Sequence, residues 1–493
     1  MIDIRIGVYA LKRAYHRIFL QRCRMTFYSV FIAVVFAAFA VSYGWGMRGC
    51  VIGGEKGALV PGALLGLSIS LFCGDGALIP YFPFFCAAGA LGMTFGGIEP
   101  YAQTMSYILH REKEPFHGHY LKGCIGIFLK GALWFGMAGG VLGILPAALA
   151  GEYKAEELAL LFAAVPVASF VGTLIFNSPY NKEKGIFPKL YFSTSSREEW
   201  GGNVFAVLTL AVFAAVKKNF FALGSVAVGL IFGGIGFLVG LLIYDFTVRK
   251  HGKKQRYPFG SLQEKGYIDG WKIMEHTFGA ISGGAVMLYF CLNSEKLCAS
   301  FGRVQLESLA FGGKKDGLAM IAVLVMLALS ALQYVLIPLL EKGGFAKIDS
   351  HWFELFERPL WASFALIFIL GGSVRASLAA AFVTVAYALV EKGIDWFSCY
   401  KKKTAVIIGL CVFFVGVLVY FFAGTVTPAV LAVLYTFIYI AVSLLYFFMP
   451  ERVKKLKENG RPFSANFGSS FTVHGHFLVQ AAVITAVTVL MMR

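Results

Sequence analysis

Long apolar runs, broken by short polar and glycine-containing breaks, fill most of the chain. They occupy residues 26–45, 57–74, 77–97, 123–149, 157–176, 203–216, 220–246, 271–292, 317–339, 360–373, 377–390, 404–423, 427–448 and 474–491. Within them the apolar positions are continuous rather than alternating with period two, which is the pattern of helices buried on all sides. A helix needs about 20 apolar residues to cross the hydrocarbon core of a bilayer, and most of these runs reach or approach that length. Backbone groups in hydrocarbon must find partners inside their own segment, so helices or a closed barrel are the only spanning forms. The pattern predicts an all-α, polytopic helical bundle in a membrane.

Composition agrees. Hydrophobic residues make up 58% of 493 and charged residues 14%, and mean hydropathy is +0.72. A soluble chain carries about a quarter charged residues, so here lipid must take the place of solvent. The formal charge of +17 invites a nucleic-acid reading. Its placement excludes one, because Lys and Arg cluster in the breaks between apolar runs, as the positive-inside rule requires. The nine cysteines are scattered without a CxxC pair and read as small buried hydrophobes, not as a disulfide framework or zinc site.

Those clusters set a topology. A basic segment, 1–25, precedes a first run without a cleavage pattern, which reads as an uncleaved helix entered from the cytoplasm. If all fourteen runs crossed, the basic loops 178–201 and 249–272 would lie outside. One early segment must therefore fail to cross, and 57–74, short and carrying Pro61 and Gly62, is the choice. The arrangement predicts about thirteen crossings plus one re-entrant segment in a plasma (inner) membrane, with the N-terminus cytoplasmic. It puts 32 of the 44 basic residues inside and 11 outside. Residues 26–491 form one transmembrane domain, with the working part expected in 26–316 and plainer helices beyond.

Charged residues in or near the spans carry the functional expectations, since ionisable groups at membrane depth are costly. Gly44-Trp45-Gly46-Met47-Arg48-Gly49-Cys50-Val51-Ile52-Gly53-Gly54-Glu55-Lys56-Gly57 packs six glycines around three charges. A helix restarting at its end would expose free N–H groups to an anion, as broken transporter helices do. Arg48, Glu55, Lys56 and Lys130, the last seven residues into its run, are the candidate substrate-binding residues. Glu99, Glu275 and His276 are the candidates for proton or ion coupling. Adjacent residues point about 100° apart on a helix, so Glu275 and His276 are expected to serve different surroundings. His110, His117 and His119 with Glu112 and Glu114 fall in a polar loop and read as solvated rather than metal-binding. Arg375 reads as an anchor or a broken-helix residue.

The reading is a secondary transporter of a small anionic solute, with proton coupling as a further expectation and no cofactor, metal or nucleic-acid partner. A membrane-embedded transferase on a lipid-linked substrate and a non-catalytic assembly subunit are the alternatives. No Walker motif supports ATP-driven transport, and no TVGYG filter supports a channel.

Overall fold

The computed structural model describes residues 25–48, 56–74, 76–97, 101–109, 117–181, 184–193, 198–248, 250–251, 254–255, 269–301, 362–374, 377–378, 380–382, 427–447 and 476–491. Glu55, Glu99, His110, Glu112, Glu114 and Arg375 lie outside the described residues, as does the side chain of Lys56. Among the described residues the chain is helical, apart from a two-residue antiparallel pairing of Lys250–His251 with Lys254–Gln255. In chain order the helices are α1 (Phe27–Met47), α2 (Leu59–Phe72), α3 (Phe82–Gly97), α4 (Ala102–Leu109), α5 (His117–Leu149) and α6 (Ala155–Phe176). They continue as α7 (Trp200–Val216), α8 (Phe220–Val248), α9 (Gly270–Leu292), α10 (Ser294–Phe301), α11 (Pro428–Phe447) and α12 (His476–Met491). Among the described residues four helices are long and apolar enough to cross a membrane: Phe27–Met47, His119–Leu149, Ala155–Phe176 and Phe220–Phe246. A fifth follows if α9 and α10, bent by 68°, count as one span.

The surface is apolar where a soluble protein would be polar. Phe27, Tyr28, Phe31, Ile32 and Val35 stand exposed along α1, and Leu160, Val167, Val171, Leu174 and Ile175 along α6. Their spacing of three or four residues places each set on one helix face. Contiguous apolar faces of this kind are rare on soluble monomers and suit contact with lipid tails. Interior contacts carry the opposite signature, small residues that let backbones touch, which is how helices associate when lipid is as apolar as the core. At Gly66, for example, an added Cβ would lie 2.8 Å from the backbone nitrogen of Cys86 and closer still to the Phe85 carbonyl.

Such contacts give the helix directions. Gly44 meets Pro61 while Phe36 meets Phe72, so α2 runs antiparallel to α1. Gly62 meets Gly89 and Gly66 meets Phe85, so α3 runs antiparallel to α2. The same reasoning makes α5 antiparallel to α8 (Gly131 with Phe237, Gly143 with Ala222), and α8 antiparallel to α9 (Gly240 with Met274, Gly224 with Tyr289). Likewise α6 opposes α7, and α9 opposes α1 (Gly279 with Ser42, Gly284 with Ala38).

The segment 57–74, expected to be re-entrant, forms a helix that runs from one end of the bundle to the other. Its helix, 14 residues and wholly buried, passes antiparallel between α1 and α3. At about 1.5 Å per residue it is only about 21 Å long. Enclosure by protein on every side removes the need to match the lipid thickness. Gly62, taken in the sequence as a sign of a turn-back, serves close packing against α3.

The far end of α1, the start of α9 and Tyr101 therefore share one end of the bundle. The loops around 98–116, 178–199 and 249–269 join helices at that same end. The opposite end carries the links around 150–154, 217–219 and 293, where Lys217 pairs with Glu157 at 2.5 Å and Asn219 Nδ2 donates to Tyr153 Oη at 2.6 Å.

Candidate functional site

Arg48 caps the C-terminal end of α1 and is 3% exposed. Its guanidinium carbon lies 5.2 Å from the ring centre of Trp45, 5.0 Å from that of Trp134 and 5.0 Å from that of Tyr101. Trp45 is one helical turn earlier on α1, so it shares Arg48's face. Trp134 sits about midway along the 33 residues of α5 and stacks on Trp45 at 4.9 Å. Phe278 of α9 and Phe237 of α8 close the cluster from below, stacked on each other at 4.5 Å. The charge is thus held by ring faces, a cation–π arrangement worth up to about 2 kcal/mol when desolvated.

Ring faces do not satisfy N–H groups. Arg48 Nε, Trp45 Nε1 and Trp134 Nε1 are all buried without a hydrogen-bond partner, although buried polar groups are nearly always paired. Among the described residues Arg48 forms no ion pair. Three donors and one positive charge within a single cluster define a site whose chemistry is to accept oxygen lone pairs.

The neighbouring carboxylate already has three partners among the described residues. Asp269 caps α9 by accepting from Trp271 N at 2.9 Å, fixing where the helix begins. That start sets Trp271, Lys272 and Glu275 on adjoining positions of the first turns. Glu275, 1% exposed, accepts from Tyr101 Oη at 2.9 Å and Trp271 Nε1 at 3.0 Å, and pairs with Lys272. Lys272 Nζ also donates to the Gly46 carbonyl at 3.1 Å, tying α9 to the last turn of α1. Tyr101 is the hinge of the arrangement, its ring under Arg48 and its hydroxyl on Glu275, and Arg48 lies within electrostatic reach of that carboxylate.

His276 turns away from this group, as its position next to Glu275 requires. Its Nδ1 bonds Ser42 Oγ at 2.8 Å and its Nε2 bonds His476 Nε2 at 3.1 Å. Gly46 is needed here because a Cβ would sit 2.7 Å from both His276 Cε1 and Phe477 Cε1. Lys130, fully buried, donates from Nζ to Thr104 Oγ1 at 2.9 Å. The carboxylates expected as its partners, Glu55 and Glu99, lie outside the described residues.

Of the residues singled out by sequence, Arg48 and Glu275 come together through Tyr101, and His276 adjoins them through Gly46. Lys130, on α5, reaches Thr104 of α4 instead. Trp45, Tyr101, Trp134, Ser42 and His476 were missed. Trp45, three residues before Arg48, was legible from helical spacing, whereas Trp134 and His476 carry no local signal. Among the described residues no group of three or more His, Cys, Asp or Glu side chains could hold a metal ion. The described cysteines Cys73, Cys86, Cys124, Cys291 and Cys298 are free thiols. No family model, curated protein or solved structure matches the chain.

Proposed function

We propose that this chain is a secondary carrier that binds a small anion inside the membrane, with Arg48, Trp45 and Trp134 as the binding groups. The observation that carries the reading is the set of three buried, unpartnered N–H groups around a guanidinium that ring faces alone surround. A desolvated charge is costly unless it is paired. A bound carboxylate, nitrate or phosphate oxygen would satisfy the donors and offset the charge together. Because Glu275 already has three partners, Arg48 remains available to a ligand.

The topology follows from the helix directions and the positive-inside rule. The end carrying the basic loops 98–122, 178–201 and 249–272 is cytoplasmic, and the end carrying Lys154, Lys217, Lys218 and Lys296 is outside. Phe27 then starts at the outer end, the reverse of the cytoplasmic entry expected from the basic stretch 1–25, α2 crosses with α1 and α3, and Arg48 faces the cytoplasmic half. The membrane is the plasma (inner) membrane, and with 57–74 counted as a crossing the fourteen apolar runs give fourteen crossings in place of the thirteen expected.

Transport tests the reading. Proteoliposomes containing wild type should take up at least one of nitrate, acetate, lactate and phosphate down its gradient, and Arg48→Met vesicles should not. Equal uptake by both, or none by wild type of any of the four, would end it.

A further inference from the structure

We propose that the ion coupled to the anion is a proton, and that the His276–His476 pair with Ser42 is its binding site; this rests on the anion-carrier reading above. The Nε2 atoms of the two histidines lie 3.1 Å apart. A neutral imidazole offers one N–H and one lone pair, and an imidazolium offers two N–H groups and none. One ring must therefore accept at Nε2, so the bond tolerates at most one positive charge across the pair. The pair takes up a single proton as a unit rather than as two independent sites.

Its surroundings join that proton to Arg48. Ser42 Oγ on α1 holds His276 Nδ1 at 2.8 Å. His276 presses on Gly46, whose carbonyl is held by Lys272, and Arg48 follows two residues later. On its own helix His276 is flanked by Lys272 and Glu275, which neutralise one another. From α12 it faces His476 and Phe477. The segment 59–72 of α2 has no titratable side chain. Asp245 of α8 lies beside Cys124 on α5, and Glu295 and Lys296 of α10 lie at the far end of the bundle. Among the described residues Lys272 is the cation acting directly on His276, and Lys272, Glu275 and Arg48 together leave one net positive charge beside the pair.

An anion at Arg48 cancels that charge and makes a proton on the pair easier to hold. By reciprocity the proton must tighten the anion by the same factor. One proton enters the pair from water and one monoanion enters the Arg48 site, so the step carries no net charge.

Nitrate is the probe, since it takes up no proton of its own. Its affinity for detergent-purified wild type should tighten roughly tenfold between about pH 8 and about pH 5.5. His276→Gln and His476→Gln, which keep a hydrogen-bonding side chain but cannot charge, should bind nitrate at the wild-type pH 8 affinity with no pH dependence. In protein labelled with 15N-histidine, the two rings should titrate in one linked step. PH-independent nitrate binding in wild type, an unchanged slope in both variants, or two independent ring titrations would each overturn the proposal. No nitrate response in wild type at either pH would instead remove the anion site, and the coupling with it.

Discussion

If Arg48 is kept for a ligand rather than for the fold, removing its charge should stabilise the protein. The side chain is 3% exposed and its Nε has no partner. A buried donor left unsatisfied costs about 1–3 kcal/mol, and the desolvated charge adds several kcal/mol more. Three ring faces at 5.0–5.2 Å return about 2 kcal/mol apiece at best. The rings share a single charge, so these gains do not add in full. Arg48→Met keeps length, and its sulfur packs well against aromatic rings. The expected result is a gain of about 1–3 kcal/mol, in the range seen when buried charges give way to apolar side chains. Equilibrium unfolding of purified wild type and variant in mixed micelles measures it. A loss of about 2 kcal/mol or more, the size of a core truncation, would show that Arg48 is a structural tie and refute the reasoning. Saturating anion should reverse the order, because ligand at a hundredfold excess over Kd adds about 2.7 kcal/mol to wild type alone.

Three further outcomes follow from the packing. Tyr101→Phe keeps the ring under Arg48 but removes the hydroxyl from Glu275, and should cost about 1.5–3 kcal/mol in the same unfolding assay, as for hydrogen bonds to charged groups; a change below about 0.5 kcal/mol would sink the role given to that hydroxyl. Gly66→Ala should destabilise by about 1–3 kcal/mol, since the added Cβ meets the Phe85–Cys86 backbone rather than a side chain that can move, and a neutral result would mean α2 and α3 are less tightly apposed. Single cysteines replacing Glu152 and Lys184 in a cysteine-free background should label with impermeant maleimide from opposite faces, Glu152→Cys from outside and Lys184→Cys from the cytoplasm; labelling from the same face would break the topology.

The helical membrane class could be read directly from the apolar runs, because lipid imposes a composition that a soluble fold does not. Element ends are set by local caps at Asp269 before α9 and Thr26 before α1, which the apolar runs alone did not mark. The side of the membrane on which each run ends was harder. Pro61 and Gly62 have the same appearance whether a segment turns back or crosses inside a sheath of protein, and the close contacts of Gly62 and Gly66 with α3 carry no signal in the sequence. At the site, Arg48 and Glu275 stood out as charges at membrane depth, and the 100° offset of His276 from Glu275 was correctly expected from helix geometry. The partners were hidden, since Trp134 and His476 reach the site only through packing of α5 and α12. Lys130 was legible as a buried lysine needing a polar partner, and Thr104 on α4, one of its partners, carried no sequence signal.

The central claim is that Arg48 with its two indole N–H groups binds an anion. Isothermal titration of purified wild type and Arg48→Met with nitrate, acetate and phosphate tests it most directly. The account predicts one saturable site per chain in wild type for at least one of these anions, and none in the variant. Saturable binding that survives in Arg48→Met, or no binding of any of the three to wild type, would contradict it.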